Sequence, residues 1–159
     1  MAIAVNVDDV LFFGPDATKM EDVINELQAD DFELKREKQE DDSAYSFLGI
    51  SITEQDGMIK LSQHGLIKKF LTLVGMENCN SKQTPCSTTP LGTNPNGSPH
   101  DEEWEYASAV GMLMYLAGNA HPELAFAVHQ CARFTYCPKQ THTLAINHIA
   151  KYLKGILDH

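Results

Sequence analysis

A chain of 159 residues with 43% hydrophobic content holds one domain or two small ones, with enough apolar side chains for a core. Its formal net charge is −10, and residues 1–60 carry fifteen Asp/Glu against five Lys/Arg, which excludes nonspecific polyanion binding by that segment. No apolar run approaches the ~20 residues of a membrane span, and no basic leader region precedes the first strand pattern, so neither a membrane partner nor a secretory signal is expected. Residues 61–159 carry seven acidic and seven basic residues plus all seven histidines, so any contact with a polyanion is expected there rather than in the acidic segment. Cys79, Cys86, Cys131 and Cys137 lack CxxC spacing and fit no zinc pattern, which predicts free thiols.

The first fourteen residues are two apolar, β-prone runs around Asp8-Asp9 and read as a hairpin with the carboxylates at its turn. Gly14-Pro15 ends that pattern, and Asp16 can cap a helix over 17–29 whose apolar face is Met20, Val23, Ile24 and Leu27. Phe32 and Leu34 predict a short strand, and the charged stretch 35–42 an exposed segment. Tyr45 to Thr53 reads as one strand, returned through a Gln55-Asp56-Gly57 turn into Met58-Ile59-Lys60-Leu61. Ser62 is positioned to cap a helix with Leu66, Ile67, Phe70, Leu71 and Val74 inward.

Residues 77–100 change character, with Pro85, Pro90, Pro95 and Pro99 among many Asn, Ser and Thr, and predict a long, partly mobile linker. Beyond it the chain reads as all helical. Ser98-Pro99-His100-Asp101 has the form of a capping box opening a helix over 100–118 that buries Val110, Leu113, Met114 and Leu116. His121-Pro122 opens a second helix through Phe134, and Pro138 a third, through Leu153 to a stop at Gly155. Trp104 and Tyr106, beside an acidic cluster, suit the edge of a core or the surface better than base stacking, and His142 and His148 lack metal-ligand spacing on a helix face.

Two carboxylates at a rigid hairpin tip can hold divalent metal ions, although aspartate is also common in solvated turns and the tripeptide alone does not decide. The surrounding motifs do. The chain resembles the reverse transcriptase of copia-type LTR retrotransposons, from the catalytic hairpin to just before RNase H. Asn6-Val7-Asp8-Asp9 matches the family's Y-V-D-D box, and Phe47-Leu48-Gly49-Ile50 is similar to its primer-grip strand. Ile59-Lys60-Leu61-Ser62-Gln63, Thr84-Pro85, Val110 to Leu116, His121-Pro122-Glu123-Leu124-Ala125 and Lys151-Tyr152-Leu153-Lys154-Gly155 follow in the family's order.

The resemblance implies an α+β protein: a small antiparallel palm-type sheet with helices, then an all-helical thumb and connection region. It implies the end of the palm and a first thumb helix over 1–76, a Pro-rich linker over 77–99, and helical thumb or connection over 100–159. It further implies two-metal nucleotidyl transfer with Mg²⁺ or Mn²⁺ at Asp8 and Asp9, which are then the catalytic residues. Asn6 lies at the primer terminus, Phe47 to Ile50 position the primer, and Lys68, Lys69, Lys151 and Lys154 are candidates for backbone phosphates. RNA/DNA template-primer, dNTP and the rest of the Pol polyprotein are the implied partners, and a cytoplasmic virus-like particle the implied setting.

Three departures carry consequences. Asn6 stands where the family has Tyr, which alters the contact beside the primer terminus. His121 stands where it has Arg. The family's third catalytic carboxylate and its nucleotide pocket belong to sequence upstream of the hairpin, so the segment is expected not to polymerise by itself. The alternative expectation is a retained, non-catalytic retroelement fragment that binds or self-associates through an exposed sheet edge.

Overall fold

The computed structural model describes residues 1–30, 32–35 and 44–157. They form an α+β arrangement of two compact units, one of residues 1–62 and one from residue 63 onward. The charged stretch read as exposed at 35–42 lies, apart from Lys35, outside the described residues.

The first unit opens with strands β1 (Ala2–Asn6) and β2 (Asp9–Phe13), antiparallel, with Ile3 opposite Phe12 and Asn6 opposite Asp9. Helix α1 (Ala17–Ala29) follows where its periodicity placed it. The Asp16 carboxylate accepts from the Lys19 amide at 3.2 Å, satisfying one of the orphan donors of the first turn. No strand forms at Phe32 to Leu34. The Phe32 amide instead donates back to the Leu27 carbonyl, closing the helix end.

The strand expected from Tyr45 to Thr53 is two strands, β3 (Ala44–Phe47) and β4 (Ile50–Gln55), folded on each other. Leu48 and Gly49 form the turn, with φ of 54° and 72°, the two positive values that a tight primed hairpin turn requires. The Asp56-Gly57 turn, at φ of 52° and 73°, then returns the chain into β5 (Met58–Ser62), giving sheet order β3-β4-β5. Paired residues share a face, so Tyr45, Phe47, Ile50, Ile52, Ile59 and Leu61 line one side of this sheet.

None of the described residues of the first unit is fully buried. Every buried hydrophobic residue lies between Ile67 and Leu153, in the helical unit. Ser62 ends β5 rather than capping the next helix. Gln63 precedes helix α2 (His64–Leu73) without a side-chain cap, because its amide oxygen instead accepts from the Ala120 amide at 3.2 Å. Ile67, Phe70 and Leu71 of α2 are buried in the same core as helices α3 (Tyr106–Asn119), α4 (Ala125–Ala132) and α5 (Gln140–Leu157). The division expected after residue 76 therefore falls after Ser62, with α2 joined to the helices that follow.

Residues 77–99 are not a loose linker. They lie antiparallel along α5 and are tied to it at successive points. The Lys82 amide donates to the Lys151 carbonyl at 3.0 Å, His148 Nε2 meets the Thr84 carbonyl at 3.0 Å, and His142 Nε2 meets the Gly92 carbonyl at 2.9 Å. Asn94 donates to the Thr141 hydroxyl at 3.4 Å, and the Gln140 amide to the Ser98 carbonyl at 2.9 Å. The prolines keep this strap out of helix while removing donors it would otherwise have to satisfy. Cys86 and Leu91 pack from it against the core.

The capping box expected at residues 98–101 does not form, and α3 begins at Tyr106. His100 is engaged elsewhere: Nε2 on the Trp104 carbonyl at 2.9 Å and Nδ1 on the Thr143 hydroxyl at 2.7 Å. Trp104 and Tyr106 stack at 6.3 Å and are buried. Val110, Leu113 and Leu116 are buried as expected, whereas Met114 is 49% exposed because it faces away from α4 and α5. The second helix starts as a 3₁₀ turn at Pro122–Leu124 and ends at Ala132. The third runs through Gly155 to Leu157.

Candidate functional site

The hairpin loop consists of two residues, Val7 and Asp8, because Asn6 and Asp9 pair directly. Two-residue hairpin loops need a positive φ at their first central position, and Val7 takes φ of 51°. A β-branched residue there costs on the order of 1–3 kcal/mol, a strain that recurs where a backbone displays functional groups. Val7 is 88% exposed, and both carboxylates are exposed. Among the described residues no ion pair holds either of them. Asp8 sits on the loop itself, while Asp9 begins β2 on the same sheet face as Asn6. Cross-strand neighbours of this kind have Cβ atoms roughly 5 Å apart, so a smaller side chain at Asn6 opens space beside Asp9.

Phe47, Leu48, Gly49 and Ile50 form a second hairpin tip, not a continuous strand. Phe47 and Ile50 pair across it, half-buried, and Gly49 is exposed. Among the described residues no ion pair involves Asp8 or Asp9.

The lysines singled out in the sequence separate into two groups within the helical unit. Lys68 and Lys69 are exposed on α2, beside the buried Ile67 and Phe70. Lys151 and Lys154 lie three apart on α5, on one helix face and half-buried. His142 and His148 were read as unpaired with any metal pattern. Both prove to anchor the strap through backbone carbonyls, contacts separated by 50 and 64 residues that no local periodicity signals. The Lys139 amide donates to His142 Nδ1 at 2.9 Å, so Nε2 carries the proton that it gives to Gly92.

The cysteines are free, as expected. Burial pushes the Cys131 thiol up to about 11, which leaves it protonated and unreactive at neutral pH. Its carbonyl accepts from the Tyr106 hydroxyl at 3.1 Å, and burial raises that phenol as well. Among the described residues no group of three His, Cys, Asp or Glu side chains is placed to hold a metal ion. No helix among them is long and apolar enough to cross a membrane.

The model of a family described as reverse transcriptase (RNA-dependent DNA polymerase) matches residues 1–88. The retrovirus-related Pol polyprotein from transposon RE2 of Arabidopsis thaliana is 30% identical over 155 residues, covering 98% of this chain and 10% of that protein. The Pol polyprotein from transposon TNT 1-94 of Nicotiana tabacum is 30% identical over 157 residues, covering 94% of this chain and 11% of its own length. A putative transposon Ty5-1 protein of Saccharomyces cerevisiae is 29% identical over 154 residues, 95% of this chain and 48% of that protein. No solved structure matches. The chain thus spans about a tenth of the length of the plant polyproteins. With the family model matching more than half of the chain, from the Asp8-Asp9 hairpin through α2 into the strap, this protein belongs to the reverse transcriptase (RNA-dependent DNA polymerase) family of copia-type Pol polyproteins.

Proposed function

We propose that this chain is the part of a retrotransposon reverse transcriptase that carries the metal-binding hairpin and the helices that hold the template-primer duplex. The observation that carries the reading is the exposed, two-residue hairpin tip with Asp8 and Asp9, inside a segment matched by the family model. In this reading the first unit is the end of the palm, and the helical unit the thumb and connection. Asp8 and Asp9 offer hard oxygen donors of the kind Mg²⁺ or Mn²⁺ takes, a pair of carboxylates completed by water and substrate phosphates. Asp8 and Asp9 would hold such ions, which would supply charge stabilisation for the dNTP triphosphate and acidify the primer 3′-hydroxyl. Asn6 opposite Asp9 borders the primer terminus, the tip Phe47 to Ile50 steadies the primer strand, and Lys68, Lys69, Lys151 and Lys154 meet phosphates. Reverse transcription in a cytoplasmic virus-like particle is the setting this reading implies.

Two carboxylates without a third partner among the described residues make a partial site. The purified chain is therefore expected to bind an RNA·DNA template-primer duplex but not to extend it with Mg²⁺ or Mn²⁺. Duplex binding by fluorescence anisotropy, run beside a primer-extension assay, checks both halves. Failure to bind contradicts the duplex-holding role, and extension by the chain alone contradicts the partial site.

A second reading, self-association, is favoured by one observation: the absence of any buried side chain among the described residues of the first unit. Strand β5 is an edge, both strands of the β1-β2 hairpin are edges, and Val5, Met58, Ile59 and Leu61 are more than half exposed. Exposed apolar edge strands pair with other chains. Sedimentation across a concentration series is expected to show dimers or larger species at high concentration. A strict monomer throughout contradicts this reading.

A further inference from the structure

We propose that Lys82, His148 and Lys151 form a phosphate-binding site where the strap meets α5, and that its ligand is the backbone of a nucleic-acid duplex. The inference rests on the reverse-transcriptase reading and adds two residues, Lys82 and His148, that no motif marks.

The backbone geometry brings the three together. The Lys82 amide donates to the Lys151 carbonyl at 3.0 Å, and His148, one turn earlier on α5, meets the Thr84 carbonyl at 3.0 Å through Nε2. A carbonyl only accepts, so Nε2 carries the hydrogen and Nδ1 is where a second proton adds. Segments more than sixty residues apart in the chain thus place three cationizable groups in one patch. Among the described residues no ion pair involves Lys82 or Lys151. Four of the seven acidic side chains from residue 63 onward gather just before α3, at Asp101, Glu102, Glu103 and Glu105, while on α5 burial and then the charge of nearby Glu123 raise the Tyr152 phenol.

The groups also sense one another. Burial lowers the His148 pKa first, and the charges of Lys82 and Lys151 lower it further, against the opposing hydrogen bond to Thr84. Like charges held together without a counter-charge are unfavourable, and an anion seated among them relieves that repulsion. Side-chain substitution leaves the Lys82–Lys151 hydrogen bond intact, because both of its atoms are backbone.

The chemistry next to the patch favours the phosphate backbone over a base. His148 also lines a cavity with Cys86, Phe126 and Ile149, but its volume is only about 50 Å³. That space admits a water or two and no purine or pyrimidine ring. What remains accessible to a ligand is the cationic surface, which a regular array of phosphates fits without base contacts.

The test uses the full chain, wild type and a Lys82→Gln/Lys151→Gln double variant. Each is titrated with an RNA·DNA duplex and with inorganic triphosphate over a range of salt. The expected result is duplex affinity reduced at least about tenfold in the variant, with the slope of log K against log salt shallower by about two units. In the wild type, the NMR titration of His148 is expected to move to higher pH when duplex is added, a change a purely structural histidine would not show. Equal affinity and equal salt slope in the variant overturn the site while leaving the duplex-binding function standing. Loss of triphosphate binding with duplex binding unchanged overturns the duplex as its ligand. A wild-type chain that binds no duplex overturns both the site and the function it rests on.

Discussion

Replacing Phe70 with alanine is expected to destabilise the helical unit by about 3–5 kcal/mol. Phe70 has no exposed surface and packs from α2 into the core shared with α3 and α5. Truncation removes a whole ring and leaves a cavity in a close-packed core that the other buried side chains cannot fill without leaving their own positions. The measurement is the urea midpoint followed by far-ultraviolet circular dichroism. Ile59→Ala in β5 serves as the contrast. Ile59 is 72% exposed, so its loss is expected to move the midpoint by no more than about 0.5 kcal/mol. A Phe70→Ala loss below about 1 kcal/mol contradicts the assignment of α2 to the helical core.

That contrast reflects how the two units are built. Hydrophobic burial at roughly 25 cal/mol per Å² drives folding, and among the described residues the fully buried apolar side chains all belong to the helical unit. The first unit has well-paired strands, yet its apolar face of Tyr45, Phe47, Ile50, Ile52, Ile59 and Leu61 has none of its members fully covered. Local pairing without burial gives a sheet little stability of its own.

Much of this was legible in the amino-acid order. The β1-β2 hairpin, helix α1 with its Asp16 cap, the Asp56-Gly57 turn and the inward face of α2 follow from period and turn chemistry alone. The Leu48-Gly49 turn did not, because leucine is a poor residue for positive φ and the flanking apolar residues read as one unbroken strand. The strap's order is hidden from the sequence for a different reason. Its proline-rich composition signals only the absence of helix, whereas its order comes from His142 and His148 bonding to carbonyls far away in sequence. The start of α3 moved for the same cause: His100 is bonded to Thr143 and the Trp104 carbonyl, so the local capping signal around it lost to tertiary contacts. At the candidate site, Asp8 and Asp9 and the motif order were readable from adjacency. The pairing of Asn6 with Asp9 and the meeting of Lys82 with Lys151 needed the fold.

The largest functional effect is expected at the hairpin tip. Asp8→Asn keeps the size and the turn but removes the charge that attracts a divalent cation. Changes merely behind a metal ligand cost about 10–100-fold in affinity or activity, so loss of a carboxylate that contacts the metal directly is expected to cost more than about 100-fold. Asp9→Asn is expected to act in the same direction, and neither change should weaken duplex binding, because the proposed phosphate contacts, Lys68, Lys69, Lys82, Lys151 and Lys154, lie in the helical unit. Retention of duplex binding separates a lost metal site from a lost fold.

The measurement that tests the central claim most directly is primer extension on an RNA template by a Pol polyprotein carrying this segment, intact and with Asp8→Asn/Asp9→Asn. Extension is expected to depend on Mg²⁺ or Mn²⁺ in the intact protein and to disappear in the variant, while the variant still binds the duplex. Extension that survives both substitutions would contradict the assignment of Asp8 and Asp9 as the metal-binding carboxylates of a reverse transcriptase.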